Sequence, residues 1–246
     1  MRFTAPAIVV AIRPHGEVGG VVRLLTAEHG LQAAYVRGAR GRRMRPVLLA
    51  GNVVEANLAA RTEGQLAQAT VELVHIRAPL LGEPLPAAAI DWACALAATV
   101  LPEGQPYPRL FAALDGLLSA IEAAPAASGW GAALVRFELL LLAELGFGLD
   151  LERCAVSGDD EDLIAVSPRS GRAVSASEAE PYLGKLLPLP RFIREDGQAG
   201  WDDILDGLSL SGHFLMRDLI TDRGAAPVGA ARERLIQRLR RAAGQA

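Results

Sequence analysis

The spacing of apolar and polar residues divides the chain into two regions, and the first 80 residues follow the pattern of β-strands. Residues 66–73 alternate most clearly, because every second residue from Ala67 to Leu73 is apolar and the residues between them are polar. Such alternation is typical of a half-buried strand. Four further apolar runs, separated by glycine-bearing turns, predict strands at residues 7–12, 21–26, 31–36 and 53–58.

From about residue 80 the apolar residues recur at the period of an α-helix, and a cluster of prolines at residues 79–86 marks the change. The segment 132–145 is apolar almost all round, so it is predicted to be the buried central helix of a bundle. Residues 150–200 are rich in glycine, proline and acidic residues, with two short predicted strands at 163–166 and 173–174. The other predicted helices cover residues 87–100, 108–124, 201–205, 210–221 and 230–241.

Strands followed by helices predict an α+β chain with two domains. The first domain, residues 1–80, is predicted to be a five-stranded barrel, and the second, residues 81–246, is predicted to be helical with an irregular insertion at about 150–200. A five-stranded barrel of this size is compatible with the oligonucleotide-binding (OB) fold and with an SH3-like barrel. The pattern alone does not choose between these two folds.

Positive charge is concentrated in one short segment between the third and fourth predicted strands. The whole chain carries a net charge of −3, yet residues 1–80 hold ten arginines and five acidic residues, a net of +5. Because arginine donates two parallel hydrogen bonds to phosphate, the segment is interpreted as a polyanion site, with nucleic acid as the first candidate. The alternative is a solvated loop that its charge keeps soluble. The segment is residues 37–45, and five of its nine residues are arginines: Arg37, Arg40, Arg42, Arg43 and Arg45.

Tyr35 is the candidate for stacking on a base, because it precedes Arg37 by two residues at the same strand edge. An aromatic side chain of the barrel core or rim is the equally acceptable alternative. Arg13 and Arg23 are further candidates for contacts with phosphate. Since no residues suited to reading base edges are apparent, the predicted binding is independent of sequence and sensitive to salt.

Motifs for catalysis and metal binding are weak. The four histidines are dispersed, and none pairs with a serine or cysteine in a recognisable nucleophile motif. Cys154-x-x-Ser157 has the spacing of a zinc knuckle with only one sulfur, whereas structural zinc requires four nitrogen or sulfur ligands. The acidic run 159–162 is interpreted as a solvated loop. We therefore predict no catalytic residue, no metal and no cofactor.

No apolar run approaches the roughly 20 residues that span a bilayer, and the N-terminus lacks the organisation of a signal peptide. The two cysteines, Cys94 and Cys154, do not suggest a disulfide framework. We expect a cytoplasmic protein that has no membrane partner.

Ordered motifs along most of the chain match one family. The N-terminal region carries Leu25-Thr26-x-Glu28-x-Gly30 and then Val36-Arg37-Gly38-Ala39-Arg40. The second region carries Arg136-Phe137-Glu138-Leu139 at the start of a longer helical motif, followed by Leu151-x-x-Cys154-Ala155-Val156-Ser157-Gly158. Each motif alone is only modestly specific for the family, but the whole set in this order and spacing is a strong match. The chain resembles the RecO family of bacterial DNA repair and recombination mediator proteins.

The resemblance implies an N-terminal OB-fold, a helical domain and a knuckle-like region that lacks zinc here, because only Cys154 remains of the four cysteines of some members. It implies a non-enzymatic protein, associated with the nucleoid, that binds single- and double-stranded DNA and anneals complementary strands. It also implies help in loading the RecA recombinase onto strands coated by single-stranded DNA-binding protein. The implied partners are DNA, RecR, the acidic C-terminal tail of that coating protein and, indirectly, RecA.

Arg136 matches the arginine that opens the family's central-helix motif. The hypothesis is that Arg136 pairs with the carboxylate of the acidic tail, and the alternative is a structural pairing with Glu138 or Glu144. For the whole protein, the alternative is a non-catalytic adaptor whose arginine segment binds RNA or an acidic protein. The basic C-terminal helix, residues 230–241, either contacts DNA or presents a solvated face.

Overall fold

A computed structural model describes residues 2–60, 62, 64–124, 126–182, 184–195, 197–221 and 226–245. The chain forms two compact units, Met1–Ala123 with Ala230–Leu235, and Ala124–Gly229 with Ile236–Ala246. The chain changes from strands to helices near residue 80, as the sequence indicates. The domain boundary placed there stays a prediction. Among the described residues, none of the helices combines the length and the apolar character needed to cross a membrane.

The first unit contains a closed five-stranded barrel, with the strands in the order β1-β2-β3-β5-β4 and β4 paired back to β1. The pair β3–β5 is parallel and the other pairs are antiparallel. This is an OB-fold barrel, which confirms the predicted five strands and settles the choice that the pattern had left open. The strands are β1 (Arg2–His15), β2 (Gly19–Thr26), β3 (Gly30–Val36), β4 (Val53–Ala59) and β5 (Ala67–His75).

The first strand is longer than its apolar run, because it belongs to two pairings. Its first half, Arg2 to Ile8, pairs with β4, and its second half, Ile8 to His15, pairs with β2. A register shift between Val9 and Ala11 bends the strand where the two pairings meet. Polar or exposed residues alternate with the partly buried Phe3 and Ala5 at the start of β1, and Arg13, Pro14 and His15 at its end are exposed, so neither end forms a continuous apolar run.

Two helices follow the barrel in this unit, α1 (Pro84–Val100) and α2 (Pro108–Ala123), after a 3₁₀ turn at Ala78–Gly82. Each helix begins at a proline, a residue that suits the first helical position because its missing N–H would have no helical partner there. Trp92 of α1 is fully buried. The final helix α6 (Ala226–Ala242) contributes Arg234 to this unit, where it pairs with Asp91 at 3.3 Å.

The second unit combines helices with a three-stranded sheet of order β7-β6-β8. Its sheet strands are β6 (Leu163–Val166), β7 (Ala173–Ser175) and β8 (Leu187–Pro188), and the first two confirm the predicted short strands. Its helices are α3 (Gly131–Glu144), the short α4 (Ala176–Ala179) and α5 (Trp201–Phe214), which continues as a π-helical turn at Leu215–Leu219. Short 3₁₀ turns lie at Ala127–Gly129, Glu180–Tyr182 and Arg191–Ile193.

Two sequence predictions for this unit were wrong in detail. The helices predicted at 201–205 and 210–221 form one continuous helix, α5. Gly207 lies in its middle because a Cβ there would stand 3.0 Å from Val135 of α3, so the glycine serves close helix packing and does not end the helix. The helix α3 is not buried all round, since Arg136 and Ala143 are exposed while Leu134, Phe137, Leu141 and their neighbours are buried.

Candidate nucleic-acid interface

The arginine-rich segment, residues 37–45, begins a run of hydrogen-bonded turns that leads from β3 to β4. We refer to residues 37–45 as the arginine loop. The N–H of Gly41 donates to the carbonyl of Gly38 at 2.8 Å, and that of Arg45 donates to Gly41 at 2.9 Å. Gly38 has a φ of 71°, a left-handed conformation that favours glycine. The loop therefore has a defined backbone.

Apolar side chains fasten the arginine loop and the turn after it to the barrel. Ala39 and Leu48 are each only 1% exposed and belong to the barrel core, and Met44 and Val47 pack against that core from the side. The arginines of the loop are all exposed: Arg37, Arg40, Arg42, Arg43 and Arg45. The sequence thus alternates between residues that hold the loop and residues that present charge.

The charge of the arginine loop is not neutralised internally. Within the part of the chain that the structure describes, no carboxylate forms an ion pair with any of its five arginines. Arg40 instead joins the loop to the β1–β2 turn, because its N–H donates to the Val18 carbonyl at 3.2 Å and its Nη1 donates to the Glu17 carbonyl at 3.1 Å. An anchored group of guanidinium ions without counter-charges attracts polyanions.

Arg13 and Tyr35 lie in one row across the outside of the barrel. Arg13 of β1 pairs with Val21 of β2, which pairs with Tyr35 of β3. Since neighbouring strands are just under 5 Å apart, the two outer backbones are separated by about 10 Å. The Tyr35 ring covers the backbone of Gly19, where an added Cβ would collide with it, and meets the His15 ring edge-on at 5.9 Å. Tyr35 is therefore a half-exposed residue of the rim and not of the core.

Arg23 differs from the other candidates because its guanidinium group forms hydrogen bonds with other residues of the first unit. It donates hydrogen bonds to the Ala98 carbonyl near the end of α1 and, at 3.0 Å, to Oε1 of Glu103. Its side chain is 24% exposed. The structure therefore gives Arg23 a role in joining β2 to α1.

Arg136 lies in the second unit, on the exposed face of α3. Its Nη2 donates to the carbonyl of Phe192 at 2.9 Å, and its guanidinium carbon lies 5.7 Å from the centre of the Phe192 ring. Glu138, one of the two acids considered as its partner, is fully buried and accepts a hydrogen bond from Ser211. These contacts hold Arg136 against the turn at Arg191–Ile193 with its side chain still accessible.

The turn around Cys154 brings three residues of the knuckle-like region together. The Cys154 sulfur accepts hydrogen bonds from the N–H of Ser175 at 3.3 Å and from its hydroxyl at 3.4 Å. Burial acts to raise the pKa of the Cys154 thiol, but hydrogen bonds from Ser175 and Ser157 lower it overall, to about 6. Among the described residues no group of three histidine, cysteine or acidic side chains could hold a metal ion.

Two features of the first unit were missed by the sequence analysis. Arg77, only 3% exposed, donates to the Gly51 carbonyl at 2.8 Å and to Asp115 and Ser119 of α2 at 3.1 Å each. Its partners are 26 to 42 residues away, so no local pattern marks it. The other feature is a groove of about 400 Å³ in the barrel, lined by Ile12, Pro14, Gly20, Ala39, Arg40, Arg45, Leu48 and Leu49.

Comparison with known proteins identifies relatives of the whole chain. A family model described as Recombination protein O N terminal matches residues 1–77, and one described as Recombination protein O C terminal matches residues 84–219. The chain is 45% identical over 245 residues to the DNA repair protein RecO of Rhodospirillum centenum, which covers 98% of this chain and 96% of that protein. It is 45% identical over 248 residues to the RecO of Rhodospirillum rubrum, covering 98% and 97%. The RecO of Bradyrhizobium sp. is 44% identical over 245 residues, with the same coverage.

Proposed function

The chain belongs to the RecO family of DNA repair proteins, and on this basis we propose that it binds single- and double-stranded DNA and anneals complementary strands. We also propose that it helps to load RecA recombinase onto strands coated by single-stranded DNA-binding protein. It works without covalent chemistry, in the cytoplasm and at the nucleoid. These activities require a surface for phosphate and a surface for protein partners.

The observation that supports DNA binding most strongly is the anchored arginine loop with no carboxylate partner among the described residues. Each exposed guanidinium can donate two parallel hydrogen bonds to a phosphate, and the bond does not depend on the base. Arg13 and Tyr35 extend the interface along the outside of the barrel. Arg23 is left out of the interface, because Glu103 already neutralises it.

Annealing follows from the same surface. Two DNA strands repel each other through their phosphates, and a protein that neutralises phosphates on both strands lowers that repulsion. The proposed contacts are electrostatic and independent of base identity, so bases remain able to test complementarity.

Partner binding is assigned to the second unit. We propose that Arg136 binds the carboxylate at the acidic C-terminal tail of single-stranded DNA-binding protein. One Nη of Arg136 is engaged by Phe192, and a guanidinium has five N–H donors, so donors remain for a carboxylate. RecR is proposed as a second partner, and RecA as an indirect one.

The DNA assignment is tested by measuring single-stranded DNA affinity against salt concentration for the parent and for Arg42→Ala/Arg43→Ala. A parent that contacts phosphates gives a linear log–log plot, and losing two contacts reduces the magnitude of its slope by about 1.4. Arg153→Ala/Arg169→Ala is the matched control, because it removes the same charge from exposed sites in the second unit. Affinity that is indifferent to salt and to the loop substitution would remove the DNA assignment in favour of an adaptor for another partner.

A further inference from the structure

The groove in the barrel has an apolar floor and a basic edge. We call it the mouth groove. Its floor is formed by aliphatic side chains and small residues of β1, β2 and the β3–β4 connection, and its charged lining residues are Arg40 and Arg45 of the arginine loop. Among the described residues that line the groove, none is acidic. Glu17 lies in a different cleft, which it shares with Val18, Gly38, Gly41 and Arg40.

Small residues and an exposed isoleucine keep the mouth groove open and apolar. A Cβ on Gly20 would stand 3.1 Å from the Cβ of Ala39 and 3.4 Å from Cδ1 of Ile12, so larger side chains here would fill the space. Ile12 pairs with the buried Val22, yet its own side chain is 40% exposed. An aliphatic side chain at the inward register but open to solvent provides surface for a ligand.

A nucleotide in a flexible strand matches this combination of features. An unstacked base has flat faces that can pack against apolar side chains, and its phosphates on either side carry negative charge. The basic edge of the mouth groove continues into the exposed Arg42 and Arg43, so a strand that leaves the groove meets further positive charge. A base in a duplex is stacked and paired, and it cannot enter a groove without leaving the duplex.

We propose that the mouth groove holds one unstacked base of single-stranded DNA, with Arg40 and Arg45 on the neighbouring phosphates. This inference rests on the proposed DNA binding and adds a basis for preferring single strands to duplex. The arginine loop contacts phosphates of single-stranded and duplex DNA, whereas the aliphatic floor contacts only the unpaired bases of single strands. The two contributions can therefore be separated by substitution.

The test compares Ile12→Gln and Leu49→Gln with the parent, using a single-stranded oligonucleotide, a duplex of the same length and a single strand with abasic sites throughout. Both substitutions make the floor polar without adding charge. We expect each to weaken binding of the base-containing single strand by about five- to tenfold and to leave binding of the duplex and the abasic strand unchanged. Val74→Gln is the matched control, because Val74 is a 62% exposed apolar residue of the same barrel that does not line the groove.

Each outcome decides between named cases. Equal affinity of the parent and both variants for the base-containing single strand would overturn the inference and leave the proposed DNA binding intact. An equal loss on all three oligonucleotides would also overturn it, because the floor would then act through the loop or the fold. A parent that binds none of the three would reject both proposals. Thermal unfolding of each variant identifies a folding defect, and the more exposed Ile12 provides the substitution with the smaller structural effect.

Discussion

The arginine loop and the segment around Arg77 lie in the same compact unit and use the same side chain in opposite ways. In the loop, apolar neighbours such as Ala39 and Leu48 are buried and the guanidinium groups face solvent. At Arg77 the guanidinium itself is buried and is held by a backbone carbonyl and by three residues of α2, Asp115, Ser119 and Glu122. An arginine is available to a ligand when buried neighbours hold its backbone in place. It is unavailable when its own guanidinium makes the contacts that hold the structure together.

The largest effect on stability is expected for substitution of the buried Arg77. Arg77→Ala leaves the Gly51 carbonyl without its donor and removes the pairing with Asp115 and Glu122 at 3.1 and 3.5 Å. We expect a loss of about 3 kcal/mol in the free energy of unfolding, because the Gly51 carbonyl is left unsatisfied and the charge-assisted hydrogen bonds are lost, with DNA affinity of the folded protein unchanged. Urea unfolding and DNA binding on the same sample check both statements. A DNA affinity that falls while stability is kept would reverse the roles assigned to the two regions.

The anchors of the loop give the next largest effect. Leu48→Ala removes a buried side chain from the barrel core, so we expect a loss of about 2–3 kcal/mol in stability. Duplex affinity should fall as well, although no charge is removed, because the loop loses a point of attachment. Arg42→Ala/Arg43→Ala is the counterpart, with stability kept within about 0.5 kcal/mol and DNA affinity lowered. If Leu48→Ala left duplex affinity unchanged, the buried neighbours would not be what positions the arginines.

The last prediction concerns pH and separates a thiol from the arginines of both regions, because guanidinium groups stay protonated whereas a thiol can titrate. Hydrogen bonding lowers the pKa of Cys154 from about 9 to about 6 in spite of its burial. A lowered folded-state pKa means that the unfolded chain binds more protons between these values, so this contribution to stability is present above pH 9 and is lost as pH falls towards 6. The stability difference between the parent and Cys154→Ala should therefore grow from pH 6 to pH 9.

Cys94→Ala is the matched control for this pH series. Burial raises the pKa of Cys94 to about 12, so its thiol stays protonated across the range. Chemical unfolding at several pH values measures both differences. A Cys154→Ala difference that stays flat between pH 6 and pH 9, like that of Cys94→Ala, would show that the hydrogen bonds from Ser175 and Ser157 do not stabilise a thiolate.

Local patterns were sufficient for the five strands of the barrel, because one alternating segment, four apolar runs and the glycine-bearing turns between them indicate strands without reference to distant residues. They do not reveal contacts that depend on a distant partner. Arg23 and Arg13 were equal candidates in sequence, and Arg23 is distinguished by Glu103, which is 80 residues away. The interruption predicted between residues 205 and 210 was wrong, because nothing in that segment reveals the close contact of Gly207 with Val135 of α3.

The candidate interface was predictable as a segment but not as a surface. The density of arginines and the absence of acids marked residues 37–45, and the turn geometry agrees with their predicted place between β3 and β4. The mouth groove was not predictable, because it is assembled from β1, β2 and the β3–β4 connection through pairing across strands. The sequence order of Ile12, Gly20 and Leu49 contains no sign that they share one cavity.

The hydrogen-bonded turns between Gly38 and Leu48 have a consequence for the entropy of DNA binding. The backbone of this connection has defined turns before any ligand arrives, so binding does not have to fix its dihedral angles as well as those of the DNA. The spacing of the charges is then a property of the free protein. Lengthening the connection by one residue would retain every arginine and still weaken the complex, because the charges would no longer be preorganised.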